Sequence, residues 1–280
     1  MDLLNELPDW AVTTLTATAI IFTVGLLFYP VFQRARRYIK NVQTCGYLPP
    51  PPTKRGLFAL KLLSRLLIFI QVGRVKIKGM ENLAKLDGEA YLVAPNHPHF
   101  ADVAVLPIVM EGRPARYMAA RGVFTFGGGL GALMFGPMGA FAVDLTKGKG
   151  GPAKEAAISV ITGGQRLVMF PEGWAYLDGV MGEFKKGAVR IAREASESLS
   201  RETYLLPVFL RYGKYPGSWI RKIPPPAEYF FFMLLLPVFR RGVTVVIGEP
   251  IPTSSLPEDD LEATELLKQQ VIALDPKDKR

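Results

Sequence analysis

Short β-branched and apolar runs alternate with stretches of helical period from about residue 90 to the C-terminus. The runs predict strands at residues 91–94, 116–119, 140–143, 167–170, 204–210 and 243–247. Apolar positions three or four apart predict helices at residues 101–110, 153–162 and 186–196. An acidic helix is predicted after Pro257, with an apolar face of Leu261, Leu266, Leu267 and Val271. This alternation predicts an α/β fold with a mixed, partly parallel sheet flanked by helices.

The first quarter of the chain has a different pattern. Residues 10–32 hold no charged side chain, and a helix needs about 20 residues to cross a hydrocarbon core. Acidic residues precede this segment, and Arg34, Arg36, Arg37 and Lys40 follow it, so the next part of the chain is predicted to be cytoplasmic. Five threonines in the segment leave open a helix that lies within one leaflet.

A proline run at residues 49–52 forms a stiff linker to a second apolar helix at residues 54–70. Lys54, Lys61 and Arg65 share a narrow stripe of this helix, which favours an anionic membrane surface as its partner. A core helix with solvated cations is the alternative. We therefore expect an N-terminal module of membrane-associated helices over residues 1–72 and an α/β domain over residues 73–280. The aromatic run at 229–239 fits either a buried strand or a loop in the membrane interface.

The charge distribution limits the choice of partners. The chain has a net charge of +9, but 11 of its 34 basic residues lie between Trp10 and Met80, where there is no acidic residue. The rest of the chain carries 23 basic and 25 acidic side chains, so nucleic acid is not an expected partner. A single cysteine, Cys45, excludes an internal disulfide and a multi-cysteine metal site.

Candidate chemistry is concentrated at the end of the first predicted strand, where both histidines of the chain lie. We expect Asn96 to cap the following helix. His97 and Asp102 can meet only if His97 lies on the turn and Asp102 inside the helix. Asp102 would then hold one imidazole nitrogen and leave the other as a general base. His99 lies three positions before Asp102, on the same helical face, and is a rival base. With only two histidines, a metal site is not expected.

Four blocks resemble the glycerolipid acyltransferases typified by 1-acylglycerol-3-phosphate acyltransferase. Asn96-His97-x-x-x-x-Asp102 is similar to the first block of that family, and the others lie at residues 170–173 (Phe-Pro-Glu-Gly), 183–188 and 206–208. The resemblance covers about residues 75–250. It implies that His97, oriented by Asp102, deprotonates the acceptor hydroxyl during attack on a thioester, without a cofactor. The residues it implies for substrate binding are Asn96, Arg121, Glu172, Gly173 and Lys185.

The departures from the family pattern concern phosphate binding. The family has arginines where this chain has Leu145 and the segment at residues 174–176, Trp-Ala-Tyr. Arg121 remains at a position where the family has lysine, and Lys147 and Lys149 lie nearby in the sequence. Either these cations bind the acceptor phosphate, or the acceptor is not a simple lysophosphatidate.

The resemblance thus implies a membrane-bound O-acyltransferase of phospholipid biosynthesis, with its catalytic domain on the cytoplasmic side. The expected donor is acyl-CoA or acyl carrier protein, and the expected acceptor is a lysophospholipid such as 1-acylglycerol-3-phosphate. Another lysolipid or glycerol-3-phosphate is an alternative acceptor. A catalytically silent lipid-binding protein is an alternative of a different class.

Overall fold

The computed structural model describes residues 14, 18, 29–30, 32–110, 113–146, 151–213 and 242–275. The chain forms two compact units, Met1–Asn41 and Val42–Arg280. In the first unit, residues 32–41 are helical. Most of the apolar segment 10–32, the aromatic run 229–239, Lys147 and Lys149 lie outside the described residues. Within the described residues we find no helix that is both long and apolar enough to cross a bilayer.

The second unit contains a sheet with helices on both faces. The described helices are α1 (Lys54–Leu67), α2 (Met80–Ala84), α3 (Asp102–Val109), α4 (Arg121–Phe135), α5 (Gly151–Thr162), α6 (Gly187–Leu199) and α7 (Asp260–Ile272). A π-helical turn, Ile68–Val72, continues α1, and 3₁₀ turns lie at Gly136–Met138 and Thr253–Ser255. The described strands are β1 (Val75–Lys78), β2 (Tyr91–Pro95), β3 (Ala115–Ala120), β4 (Phe141–Val143), β5 (Arg166–Val168), β6 (Tyr204–Tyr212), β7 (Val243–Ile247) and β8 (Ile251–Pro252).

The strand order is β1-β7-β6-β2-β5-β3-β4, and β8 pairs with β6. Pairing is parallel from β6 through β4 and also between β1 and β7, whereas β6 and β7 are antiparallel. The predicted α/β class is therefore confirmed, and the sheet is mostly parallel. The carboxyl ends of β6, β2, β5, β3 and β4 consequently lie along one edge, where open α/β sheets bind ligands.

Two apolar clusters cover the two faces of the sheet. Along β2, Leu92 and Ala94 join the cluster that contains α5, α6 and α7, while Tyr91 and Val93 join the cluster that contains α3. This alternation follows from the two-residue period of a strand. Burial on both faces explains why β2 reads as a continuous apolar run.

The proline linker is attached to the sheet by a buried arginine. Arg116 in β3 is 4% exposed, and burial lowers its pKa. Its Nη1 donates to the Pro49 carbonyl at 2.7 Å, and its Nε donates to Gln165. Because a buried guanidinium needs acceptors for its N–H groups, the linker and the sheet are joined through this side chain. The linker therefore packs as part of the second unit.

Several sequence predictions differ in detail from the structure. Helix α1 packs against α3 within the compact unit that starts at Val42. The predicted start of the α/β domain at residue 73 stays a prediction. In α7, Leu261 is 61% exposed, so its assignment to the buried face was wrong. Leu267 and Val271 of the predicted face are buried, and Ala263 and Thr264 are buried beside them.

Replacing Arg116 tests the attachment of the linker. Arg116→Met leaves the Pro49 carbonyl and the Gln165 side chain without their buried donor, and we expect the free energy of unfolding to fall by about 2 kcal/mol. Arg113→Met is the matched control, because Arg113 pairs with a half-exposed Asp87 and should contribute less than about 1 kcal/mol. Urea denaturation measures both. Equal losses in the two variants would contradict the proposed attachment.

Candidate active site

The candidate site lies where three neighbouring parallel strands end. β2 pairs with β5 on one side and with β6 on the other. Asn96 follows the end of β2, Phe170 lies just after the end of β5, and Tyr212 is the last residue of β6. Parallel pairing therefore brings together groups that are up to about 115 positions apart in the sequence.

Asn96 fastens the turn after β2 to strand β6. Its Nδ2 donates to the Leu210 carbonyl at 3.2 Å, and its Oδ1 accepts the Leu210 N–H at 2.7 Å. The prediction that Asn96 caps the helix was wrong. Helix α3 begins only at Asp102, six residues later, so the amide is too far from the helix start and binds the neighbouring strand instead.

His97 and Asp102 form a direct pair. The His97 Nδ1 lies 2.9 Å from Oδ2 of Asp102, and the two side chains are 15% and 0% exposed. His97 lies on the turn and Asp102 in the first helical position, as their five-residue spacing requires. The His97 ring also stacks on Phe170, with centroids 3.8 Å apart and planes 17° apart. Because an ionised carboxylate only accepts, Nδ1 carries the proton and Nε2 has the lone pair in the neutral ring.

The Asp102 carboxylate accepts from three donors. Oδ2 binds His97 Nδ1 and the His99 N–H, the latter at 3.0 Å, and Oδ1 accepts the Tyr212 hydroxyl at 2.6 Å. A fully buried carboxylate is stabilised only when its lone pairs are satisfied in this way. The side chain is therefore held from both of its oxygens.

His99 has a different environment from His97. It is 4% exposed, its Nδ1 accepts the Ala101 N–H at 3.0 Å, and its ring stacks on Tyr212 with centroids 4.6 Å apart. Burial lowers the pKa of His99 to about 4, with the Asp102 carboxylate opposing that shift and His97 adding to it. His99 is thus neutral at pH 7. It precedes the helix rather than sharing a helical face with Asp102, so that expectation was wrong.

Glu172 braces the turn from the end of β5. Its Oε1 accepts the His97 N–H and its Oε2 accepts the Gly182 N–H, each at 2.6 Å. The carboxyl is 3% exposed; burial raises its pKa, while the two amide hydrogen bonds and the nearby His97 oppose the shift. The predicted role of Glu172 in substrate binding stays a prediction. In this structure its contacts position the backbone of His97.

Gly173 and Lys185 lie beside Glu172. Gly173 has a φ of 72°, in the left-handed region that favours glycine. A Cβ on Gly173 would lie 2.6 Å from the Lys185 Nζ, so the exposed lysine side chain passes directly over this glycine. The Lys185 N–H donates to the Pro171 carbonyl at 2.9 Å, which fixes the lysine backbone next to the turn.

Arg121 lies at the same sheet edge but is not in contact with these groups. It is exposed and begins α4, directly after β3, and it makes no ion pair with any residue in the described ranges. β3 is two strands from β2, a separation of about 10 Å at the usual strand spacing. The structure thus places Arg121 at the carboxyl end of β3 without joining it to His97, and its predicted role in substrate binding stays a prediction.

Two contributors were not predicted from the sequence. Tyr212 lies two positions beyond the predicted strand 204–210 and belongs to none of the four blocks, and Leu210 acts through its backbone. Residues 127–129, three consecutive glycines, lie inside α4. The described residues contain no group of three or more candidate metal ligands.

Comparisons with known proteins identify a matching family model and a similar fold. Residues 74–211 match the family model described as Acyltransferase. The fold is similar to the crystal structure of the 1-acyl-sn-glycerophosphate acyltransferase from Thermotoga maritima, with a TM-score of 0.54 over 80% of each chain at 19% identity. A search of curated proteins found no match. At this identity the structural similarity establishes the fold alone.

The buried neutral state of His99 predicts a pH dependence of stability. Its folded pKa of about 4 lies below the unfolded value of 6.5, so its contribution to stability is complete above pH 6.5 and is lost as the pH falls towards 4. His99→Asn retains an acceptor for the Ala101 N–H and has no titrating ring. We expect urea denaturation to show a shallower acid loss in the variant, by a few kcal/mol between pH 7 and 4. Parallel pH profiles would contradict this assignment.

Proposed function

Because residues 74–211 match the Acyltransferase family model, we propose that the protein is a membrane-bound enzyme of phospholipid synthesis. In this proposal it transfers a fatty acyl chain from a thioester to the free hydroxyl of a lysophospholipid. The observation that carries the proposal is the pair formed by His97 and the fully buried Asp102 at the ligand-binding edge of the sheet.

The pair supports direct transfer. His97 Nε2 accepts the proton of the acceptor hydroxyl as that oxygen attacks the thioester carbonyl carbon. A carbon–oxygen bond forms, the carbon–sulfur bond breaks, and the proton passes to the departing thiolate. The products are an ester and a free thiol. Asp102 stabilises the imidazolium that forms between the two proton transfers and keeps Nε2 directed away from the carboxylate.

The proposed donor is acyl-CoA or acyl carrier protein, since both present the acyl group as a thioester. No covalent acyl-enzyme is needed when both substrates are held against one base. Cys45, the single cysteine, precedes the proline linker and lies in none of the four blocks, which argues against a cysteine nucleophile.

The proposed acceptor is 1-acylglycerol-3-phosphate, which is the substrate named for the Thermotoga maritima protein. Two exposed cations support phosphate binding: Lys185 over Gly173, and Arg121 about two strand spacings from the turn. The segment at residues 174–176 lacks the arginine of the family pattern. Another lysolipid or glycerol-3-phosphate is therefore the alternative acceptor, and a panel of acceptors distinguishes them.

The exposed face of α1 supports an anionic membrane surface as a partner. The large apolar side chains exposed on α1 and on the π-helical turn that continues it are between 44% and 69% exposed: Phe58, Leu62, Leu66, Phe69 and Ile70. Such a contiguous apolar face on a helix that also carries Lys54 and Arg65 is typical of interfacial helices. Exposed Arg34, Arg36 and Arg37 follow the apolar segment, which supports a cytoplasmic location of the catalytic domain.

The catalytic proposal predicts the effect of losing the base. With purified protein, labelled acyl-CoA and a panel of lysophospholipids, we expect His97→Ala to lower kcat/KM by about 10²-fold or more, because no group is left to accept the hydroxyl proton. Arg113→Met, a surface substitution, is the control. Wild-type activity in His97→Ala would overturn the proposed role. No product from any acceptor with the wild-type protein, despite vesicle binding, would favour the silent lipid-binding alternative.

The membrane proposal predicts that the α1 face enters the bilayer interface. A Cys45→Ser protein with Leu62→Cys can carry an environment-sensitive fluorophore, and we expect a blue shift on vesicles that contain anionic phosphatidylglycerol. Leu261→Cys in α7 is a matched control, because Leu62 and Leu261 are both 61% exposed. The same response at both positions, or none at residue 62, would contradict the proposal.

A further inference from the structure

We propose that Tyr212 is a positioning residue for acyl transfer: its buried hydroxyl fixes the Asp102 carboxylate, which in turn holds His97 in one orientation and one tautomer. The inference rests on the proposed function, because it assigns Tyr212 to the machinery of that reaction. Tyr212 lies outside the four sequence blocks.

The two oxygens of Asp102 have separate tasks. Oδ2 faces the turn, where it binds His97 Nδ1 and the His99 N–H. Oδ1 accepts the Tyr212 hydroxyl at 2.6 Å, a distance typical of a strong hydrogen bond to a charged acceptor. Because donors engage both oxygens, the carboxylate is held against rotation about its terminal torsion. The oxygen that faces His97 therefore keeps its place.

The hydroxyl is itself held rigidly. Tyr212 is 5% exposed, its ring stacks on His99, and its backbone pairs with Val243 of β7. Two residues earlier on β6, Leu210 forms both hydrogen bonds with the side chain of Asn96. Strand β6 thus contacts both ends of the catalytic turn. Leu210 binds Asn96, where the turn begins, and Tyr212 binds Asp102, where the turn ends.

This arrangement has an electrostatic consequence for His97. A hydrogen bond from Tyr212 reduces the charge that the carboxylate presents to the imidazole. Removing that donor leaves a less compensated carboxylate, which stabilises the imidazolium more strongly. Among the described residues, the other titratable side chains near His97 are Glu172, which lies after β5, and His99 on the turn. Tyr176, also after β5, donates its backbone N–H to the His97 carbonyl.

Tyr212→Phe tests the inference, because it removes the hydroxyl and keeps the ring that stacks on His99. We expect kcat to fall about 10-fold, as for the loss of one hydrogen bond to a charged group, with both KM values nearly unchanged. The acid limb of the kcat/KM profile should move to higher pH. A general loss of packing would lower the folded fraction without moving this limb. Tyr91→Phe is the matched control, since Tyr91 is also buried but begins β2, at the opposite end of that strand from the turn.

A double-mutant cycle separates positioning from independent structural effects. In an Asp102→Asn background, Tyr212→Phe should lower kcat by less than about 2-fold, because the group it positions is already lost. The same 10-fold loss in both backgrounds would overturn the inference. So would wild-type kcat together with an unmoved acid limb in Tyr212→Phe alone.

A second measurement does not depend on turnover. The chain has two histidines, so protein labelled at histidine gives two sets of NMR signals, and His99→Asn identifies the set that belongs to His97. We expect the His97 titration midpoint to rise in Tyr212→Phe and to stay unchanged in Tyr91→Phe. An unchanged midpoint in Tyr212→Phe would overturn the inference. A shifted midpoint in a protein that transfers no acyl group would refute the proposed function and leave the coupling between Tyr212 and His97 established.

Discussion

Burying a carboxylate is costly unless hydrogen-bond donors replace the water that it loses, and the site is built around this requirement at Asp102. The donors come from three places: the His97 ring, the backbone of the turn at His99, and the end of β6 at Tyr212. Satisfying one buried charge thus sets the path of the turn, the direction of the imidazole and the position of the strand beside it. The helix start, the turn and the strand end are mutually constrained.

A second buried carboxylate, that of Glu172, constrains the backbone of His97. Asp102 holds the His97 ring, and Glu172 accepts the His97 backbone N–H, so two buried carboxylates fix one histidine by its side chain and by its main chain. They reach it from different elements, α3 and the segment after β5. Parallel pairing of β2 with β5 allows this, because it places the two strand ends side by side.

The sequence was most informative where one residue type has few structural roles. Alternating strands and helices predicted the α/β class, and the spacing of His97 and Asp102 predicted a turn followed by a helix. Helix α4 was not predicted because its three consecutive glycines indicate a loop. Tyr212 was not predicted because a tyrosine at the end of an apolar strand is an ordinary core residue. Its role depends on a hydrogen bond to Asp102, which is 110 positions away in the sequence. The partners of Asn96 and Glu172 are backbone groups, which no side-chain pattern reveals.

The proline linker is more than a spacer, because its Pro49 carbonyl accepts a hydrogen bond from the buried guanidinium of Arg116. Its acceptor at Pro49 belongs to a segment that lies before α1, while the family model begins only at residue 74. A fragment cut to the limits of the family model would bury a cation without one of its acceptors and would lose the helix that packs on α3. A fragment that keeps this acceptor for Arg116 therefore starts before Pro49, and the compact unit begins at Val42. Along this chain, the family-model match and the compact unit therefore begin at different residues.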